Sequence, residues 1–374
     1  MMLRTLCLLA LLLCQLPAFA HKASDSYLMV NVQGATVRTQ WDIALRDVDF
    51  ALGLDANGNG EITWGELRVR KAELGAWAVS RLDLQRGGGA CTSQLDKLQV
   101  DEHTDGGYAV LSIQSTCPSD AGPFGLAYRL LFDLDAQHRG LLRLTLDGAE
   151  HSAVMSPDNR QMQWQSGTSS GLEQLRQYVV EGVWHIWIGF DHILFLVGLL
   201  LPAVLVREGG RWRGVTHLKL AFKEVALVVT AFTVAHSVTL SLAALGWVSL
   251  PSRLVESVIA LSVLLAAANN LMPVVVQKRW LAAFVFGLIH GFGFASVLAE
   301  LGLPADTLVL SLVGFNVGVE LGQLAIVAVF LPLAFVLRHT PFYSRGVFAG
   351  GSVLIMLISA VWLAERVFDL KLLG

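Results

Sequence analysis

The chain has 374 residues, of which 54% are hydrophobic and 15% are charged, and its mean hydropathy is +0.57. This composition is too apolar for one soluble domain of this length and favours a membrane protein. The formal net charge of -3 excludes the large basic surface that a nucleic-acid partner requires.

The first 20 residues have the pattern of a removable secretory signal peptide, with Arg4 before an apolar core and the small residues Ala18 and Ala20 at a cleavage site. The segment 21–170 is therefore expected to be exported. Cleavage after Ala20 would free the amine and imidazole of His21, which together can chelate a transition metal. The alternative for this terminus is a disordered tip.

The exported segment is predicted to form a β-sandwich-like domain, because short β-type runs alternate with Gly, Asp and Pro. These runs are 27–32, 36–41, 94–100, 108–115, 125–134 and 141–146. Signal removal leaves Cys91 and Cys117 as a lone pair. An oxidising compartment favours a disulfide between them, with a thiol metal site or free thiols as alternatives.

An EF-hand-like calcium loop is predicted at residues 55–66, inserted into the β-rich domain, with residues 67–84 as its exit helix. Gly60 permits the sharp turn, and Ile62 is expected to point into the core. The expected oxygen ligands are Asp55, Asn57, Asn59, the Glu61 carbonyl, Thr63 and Glu66. We expect one structural Ca²⁺ with an affinity of roughly 10⁻⁴ to 10⁻³ M. The alternative is an Asx-rich turn that binds no metal.

Six membrane spans are predicted after the exported domain, followed by a tail, 365–374. The spans are 178–206, 225–247, 254–275, 280–301, 307–337 and 346–364. The loops 207–224, 276–279 and 338–345 contain most of the basic residues, whereas the opposite loops contain only Arg253. By the positive-inside rule, the N-terminal domain and the C-terminus are both periplasmic, and the chain is expected in a bacterial inner membrane.

Ionisable and amide side chains recur within these spans, where they are costly in hydrocarbon and indicate a function. The candidate transition-metal ligands are His185, Asp191, His192, His236, His290, Asn316, Glu320 and Gln323. Nitrogen and oxygen ligands of this kind suit Ni²⁺, Co²⁺ or Zn²⁺. The alternative for His236 or His290 taken singly is an interhelical hydrogen-bond residue.

Helix geometry refines the arrangement of these ligands. His185 and His192 would lie about 10.5 Å apart along a straight helix. Unless the helix unwinds near Gly189, they fit successive stations on a pathway better than one ion site. In the fifth span, Asn316, Glu320 and Gln323 share one stripe. Glycines 314, 318 and 322 repeat on the opposite face, where a neighbouring helix is expected to pack closely.

Four motifs carry a family resemblance, at residues 185–195, 232–237, 286–294 and 315–323. Residues 180–337 resemble the membrane domain of the HupE/UreJ family. The resemblance implies a permease for Ni²⁺ or Co²⁺, with His185, Asp191 and His192 as central ligands. Ile186 stands where the hydrogenase- and urease-associated members have proline. The chain is more similar to a second branch, whose members have a large exported N-terminal domain.

The leading hypothesis is a passive or ion-coupled permease that moves a divalent transition metal between periplasm and cytoplasm, with the metal and the lipid bilayer as partners. No GxxxxGK[ST] motif occurs, so no ATP motor is expected. One alternative is an intramembrane zinc hydrolase, for which Ser237 beside His236 is a weak nucleophile candidate. Another is a metal sensor or assembly factor that does not transport. The sequence leaves the oligomeric state open.

Overall fold

A computed structural model describes residues 24–103, 106–165, 171–293 and 305–368. The predicted signal peptide, 1–20, and His21 lie outside the described residues, so both stay predictions.

The N-terminal part is rich in β-structure, as predicted. Its strands are β1 (Asp25–Gln33), β2 (Thr36–Ala44), β3 (Leu82–Arg86), β4 (Gly89–Ala90), β5 (Thr92–His103), β6 (Gly106–Thr116), β7 (Phe124–Tyr128), β8 (Arg139–Leu146), β9 (Ala149–Met155) and β10 (Gln161–Trp164). The predicted strand 125–134 is too long, because the backbone of Leu131 has a positive φ of 57° and the chain turns after Tyr128.

The strands form two sheets that share one hydrophobic core. A six-stranded sheet has the order β5-β6-β2-β1-β8-β9, and a four-stranded sheet has the order β10-β7-β3-β4. Strand β1 pairs in parallel with β8 and antiparallel with β2. Trp41 from the first sheet and Phe124 from the second are both fully buried in the core. Cys91 and Cys117 form a disulfide, which confirms the prediction.

Three short helices flank the predicted calcium loop: α1 (Leu45–Leu52), α2 (Trp64–Val69) and α3 (Lys71–Val79). The predicted exit helix 67–84 is wrong at both ends. It begins at Trp64, where Thr63 and Glu66 form a capping box, and it ends at Val79. The helix cannot continue to residue 84 because Leu82–Arg86 pairs with β7. Ile62 packs half-buried against the core.

The C-terminal part is helical and apolar. Its helices are α4 (Gly171–Ile188), α5 (Phe190–Leu200), α6 (Leu218–Ala244), α7 (Ser252–Leu271), α8 (Arg279–His290), α9 (Ala305–Leu337) and α10 (Gly351–Phe368), with a π-helical segment at Phe342–Gly350. A hairpin of β11 (Leu205–Glu208) and β12 (Arg211–Gly214) joins α5 to α6. Within the described residues, four helices are long and apolar enough to cross a membrane. The chain is a multi-pass membrane protein.

The first predicted span, 178–206, is not one helix. The chain breaks between α4 and α5, which are bent by 72° and together provide a possible fifth span. Helix α5 ends at Leu200, because Leu205–Glu208 is already a strand of the hairpin. The fourth predicted span, 280–301, begins with α8, and its end lies outside the described residues. A total of six spans remains a prediction.

Glycines allow the helices around the candidate site to pack at backbone contact. A Cβ atom on Gly318 of α9 would lie 2.1 Å from the carbonyl oxygen of Val179 in α4, and one on Gly182 would lie 2.1 Å from Phe315 O. The predicted close packing of the α9 glycine face is therefore confirmed. Helix α8 approaches α6 in the same way, since a Cβ on Gly287 would lie 2.5 Å from Phe232 O.

The β-rich domain contacts the helices directly. A buried cluster joins Tyr27, Tyr108 and Val154 of the large sheet to Tyr178 of α4 and Leu312 of α9. The Tyr178 hydroxyl also donates a hydrogen bond of 3.4 Å to Ser152 Oγ in β9. The N-terminal half of α4 is thus covered by the six-stranded sheet.

Candidate metal centre

The break after α4 places two histidines of the first predicted span side by side. Gly189 has φ -67° and ψ 97°, which interrupts the helix between His185 and His192. Their ring centroids lie 4.6 Å apart. A straight helix would hold them about 10.5 Å apart. The chain therefore unwinds at Gly189, which is the condition under which the sequence allowed the two histidines to share one ion site.

Helices α6 and α8 complete the group of imidazoles. The ring of His236 lies 6.4 Å from that of His185, and the ring of His290 lies 5.3 Å from that of His192. One ligand atom from each of His185, His192 and His236 lies within 4.8 Å of the others. The same holds for Asp191, His192 and His290, so His192 belongs to both sets.

Hydrogen bonds to Nδ1 orient the rings of His192 and His236. His192 Nδ1 lies 2.9 Å from Asp191 Oδ1, and the carboxylate can only accept. His236 Nδ1 lies 3.4 Å from Asn316 Oδ1, and the Asn316 amide nitrogen donates to Leu312 O at 2.8 Å, which orients the amide. We therefore assign the proton to Nδ1 in both rings, which leaves a lone pair on each Nε2.

The ring of His290 is held from the opposite nitrogen. Its Nε2 lies 2.9 Å from Ser262 Oγ, whose hydroxyl donates to Ile259 O at 2.6 Å. Because the serine hydrogen is used there, His290 Nε2–H donates to the serine oxygen, and the lone pair of His290 lies on Nδ1. The sequence did not single out Ser262, because an isolated serine in an apolar helix carries no distinctive signal.

The three atoms to which we assign lone pairs are buried and have no hydrogen-bond partner among the described residues: His192 Nε2, His236 Nε2 and His290 Nδ1. A buried nitrogen without a partner costs about 1–3 kcal/mol. Neutral imidazoles with the second nitrogen hydrogen-bonded are the usual ligands of divalent transition metals. The donor set therefore fits Ni²⁺, Co²⁺ or Zn²⁺.

Aromatic rings exclude water from one side of this group. The ring of Phe195 lies 4.8 Å from that of His290, and the ring of Phe232 lies 5.3 Å from it. Low polarity around the imidazoles strengthens electrostatic attraction between the Asp191 carboxylate and a cation.

Two predicted ligands on α9 contact threonines of α6. Thr233 donates to Gln323 Oε1 at 3.2 Å, and Thr230 donates to Glu320 Oε1 at 3.0 Å. Glu320 belongs to neither of the two groups of His and carboxylate ligands found among the described residues. Ser237 donates to Thr233 O at 2.7 Å within its own helix, rather than to its neighbour His236.

The predicted calcium loop is folded around its acidic residues. Asp55 accepts hydrogen bonds from the amides of Gly60 and Gly58 at 2.7 and 2.8 Å, and these bonds lower the pKa of its carboxyl group. Gly58 and Gly60 have positive φ angles of 71° and 81°, which favour glycine. Asn59 Oδ1 accepts from the Glu61 amide at 2.9 Å.

Glu66 closes this loop from the start of α2. Its carboxylate accepts from the backbone and hydroxyl of Thr63 at 2.9 and 2.7 Å, and these bonds lower the pKa of Glu66. It also accepts from Asn57 Nδ2 at 3.2 Å, across the loop. The side chains of Asn57 and Glu66, near opposite ends of the loop, are thus in hydrogen-bond contact.

No curated protein matches the chain. The family model described as "HupE / UreJ protein" matches residues 159–366, which is more than half of the chain and includes every candidate transition-metal ligand in the helices. This family is associated with nickel and cobalt transport and is not an enzyme family. The chain belongs to the HupE/UreJ family.

Proposed function

We propose that the protein is a permease for a divalent transition metal, Ni²⁺ or Co²⁺. The observation that carries the proposal is the set of buried imidazole nitrogens around His192, each ring being held by a hydrogen bond at its other nitrogen. Asp191 contributes negative charge that offsets part of the charge of a dication.

The ligands come from four different helices, which suits a site that must load and release its ion. His185 belongs to α4, His192 to α5, His236 to α6 and His290 to α8. A small displacement of one helix would remove one ligand and weaken binding. Glu320 and Gln323, one turn or more from Asn316 along α9, are proposed as ligands that the ion meets after leaving the imidazoles.

We further propose six spans in a bacterial inner membrane, with the β-rich domain and the C-terminus in the periplasm. The hairpin and start of α6 supply the basic residues Arg207, Arg211, Arg213, Lys219 and Lys223, which are expected on the cytoplasmic side.

The test is uptake of radiolabelled Ni²⁺, Co²⁺ and Zn²⁺ into proteoliposomes that contain the purified chain. His192→Ala and Glu320→Gln should each reduce uptake, and His217→Ala is the matched control because His217 is exposed at the start of α6. Absence of flux, or flux unchanged in both site variants, would overturn the proposal.

The same preparation tests the two alternatives. Tight metal binding without flux would favour the sensor or assembly factor. Hydrolysis of lipid or peptide that is lost on chelation would favour the zinc hydrolase. The bond from Ser237 to Thr233 O weighs against Ser237 as its nucleophile.

We propose that Ca²⁺ in loop 55–66 stabilises the β-rich domain. Asp55, Asn57, Asn59, Thr63, Glu66 and the Glu61 carbonyl would hold it. The ion would replace hydrogen bonds that now join the two ends of the loop, such as that from Asn57 to Glu66.

A further inference from the structure

One face of α4 runs from the β-rich domain to the histidines. Gln174 donates to Ser152 Oγ at 3.2 Å, and Tyr178 donates to the same oxygen at 3.4 Å. Positions 174, 178, 181 and 185 share this face, because they recur at intervals of three and four residues. Glu181 is therefore the residue between the docked domain and His185.

Glu181 lies close to a cation that belongs to the β-rich domain. Arg139, the first residue of β8, has its Nε 3.9 Å from Glu181 Oε2, and the two side chains are only 16% and 14% exposed. This separation exceeds that of a direct hydrogen bond. Glu181 accepts no hydrogen bond from the described residues, so its oxygens stay available to another cation.

Arg139 is held in place without the help of Glu181. Its Nη1 donates to the carbonyl oxygens of Gln137 and His138 at 3.0 and 2.9 Å, and its own amide donates to Ser24 O at 3.0 Å. The guanidinium is therefore positioned by the turn before β8, and it moves with the domain. The exposed Asp158 carboxylate also acts electrostatically on Glu181, in the sense opposite to Arg139.

We propose that Glu181 is the outermost binding station for the metal ion and that Arg139 is an intramolecular plug that occupies its place. This inference rests on the proposed permease function. When the β-rich domain is docked as in this structure, the guanidinium neutralises Glu181 and closes the approach to His185. An ion enters when Arg139 withdraws, and the divalent cation then replaces the guanidinium at the carboxylate.

The test measures the concentration dependence of Ni²⁺ and Co²⁺ uptake by the full chain in proteoliposomes. The orientation of the protein in the vesicles is determined from the access of a protease to the β-rich domain. Glu181→Gln should raise the half-saturating concentration about three- to ten-fold, and Arg139→Gln should lower it by a similar factor. Arg139→Gln should have no effect in the Glu181→Gln background, because the plug then has no station to compete for. Arg143→Gln is the control, since Arg143 pairs with Glu150 within the domain.

A charge-reversed pair distinguishes a metal-binding role of Glu181 from a purely structural role of its ion pair with Arg139. The double variant Arg139→Glu, Glu181→Arg keeps an ion pair at the interface but places a cation on α4. We expect an unchanged thermal midpoint and strongly reduced uptake. Wild-type uptake by this variant, or an unchanged half-saturating concentration in Glu181→Gln, would overturn the inference.

Equilibrium binding of Ni²⁺ to the detergent-purified chain distinguishes the two ways of failing. If the wild type binds Ni²⁺ without flux, the permease proposal is wrong. Glu181 can then still be a binding station, provided that Glu181→Gln raises the dissociation constant for Ni²⁺ and Arg139→Gln lowers it. Identical binding curves for all three proteins would overturn the station alone. A wild type that binds no Ni²⁺ would overturn both.

Discussion

The imidazole of His185 lies against that of His192, with 4.6 Å between ring centroids, because Gly189 ends one helix and begins another at an angle of 72°. His185 and His192, which a straight helix would separate by two turns, therefore belong to one group of candidate ligands. The bend depends on close approach of atoms around Gly189, where a Cβ atom would lie 2.8 Å from both His185 O and His192 Nδ1.

Gly189→Ala is expected to disrupt this group. The added methyl must displace either the carbonyl of His185 or the ring of His192, so we expect metal affinity to fall about ten- to hundred-fold. Gly198→Ala in α5 is the control, because a Cβ there meets no atom within 4 Å. Titration of the purified proteins with Ni²⁺ measures both, and equal affinities for the two variants would contradict the assigned role of the bend.

Ser262→Ala removes the acceptor that orients His290. We expect a loss of about ten- to hundred-fold in Ni²⁺ affinity, since an imidazole without its supporting hydrogen bond rotates and is a weaker ligand. Ser359→Ala is matched, because Ser359 is also buried and donates to a carbonyl of its own helix, Ile355 O. Retained affinity in Ser262→Ala would show that α8 alone fixes the ring.

Gly318→Ala tests the contact between α4 and α9. The new Cβ would lie 2.1 Å from Val179 O, so the helices must separate, at a cost of about 1–3 kcal/mol. We expect a lower thermal midpoint in detergent. Gly346→Ala is the control, because its nearest contact is an ordinary 3.7 Å to Phe342. Equal midpoints for the two variants would argue against tight packing here.

His138 should make the β-rich domain sensitive to acid. Burial lowers the pKa of His138 to about 3, and the neutral ring contacts Ser24 Oγ at 2.6 Å and the Tyr128 hydroxyl. An unfolded histidine has a pKa of about 6.5. The unfolded state therefore binds more protons between about pH 6.5 and 3, so stability is full above this window and falls as pH decreases, by up to about 1.4 kcal/mol per pH unit.

Hydrogen exchange of the β1 and β8 amides in the full chain, followed by mass spectrometry, measures this loss. His138→Gln should flatten the dependence on pH between 6.5 and 3. An identical pH dependence in wild type and variant would assign the acid sensitivity to other groups.

Calcium should raise the thermal midpoint of the β-rich domain, and Glu66→Gln should abolish the effect. At 10 mM Ca²⁺, an affinity of roughly 10⁻⁴ to 10⁻³ M corresponds to about 1–3 kcal/mol of stabilisation. Glu61→Gln is the control within the same loop, because residue 61 is expected to bind through its backbone carbonyl. A midpoint unaffected by Ca²⁺ in the wild type would leave this loop as an Asx-rich turn.

The types of the candidate ligands could be predicted from the sequence, but the place where they come together in the structure could not. His236, His290 and Asn316 were identified because polar groups in apolar helices are costly. Gly189 was named as the place where the helix could unwind, but the sequence did not decide whether it does, because the bend depends on tertiary packing around this residue. Glu181 lies in the first predicted span but was not among the candidate ligands, because its partner Arg139 lies in another domain and no spacing rule connects the two.

In the β-rich domain, too, some features could be predicted from the sequence and others could not. Cys91 and Cys117 were paired correctly because no other cysteines remain after signal removal. The strand after Phe124 was extended too far, because the residues up to 134 keep strand-like composition while Leu131 takes a positive φ. Local propensity does not report such backbone reversals, which are set by the core around Leu130 and Leu131.

The parallel pairing of β1 with β8 constrains how the protein is made. Strand β1 lies between β2, its neighbour in sequence, and β8, which begins at Arg139, so the large sheet cannot close until more than a hundred further residues have been synthesised. The turn that positions Arg139 lies directly before β8, the strand that completes this parallel pairing. All the strands of the large sheet, which end at Met155, are synthesised before α4, which begins at Gly171, so the whole surface that covers α4 precedes the membrane helices along the chain.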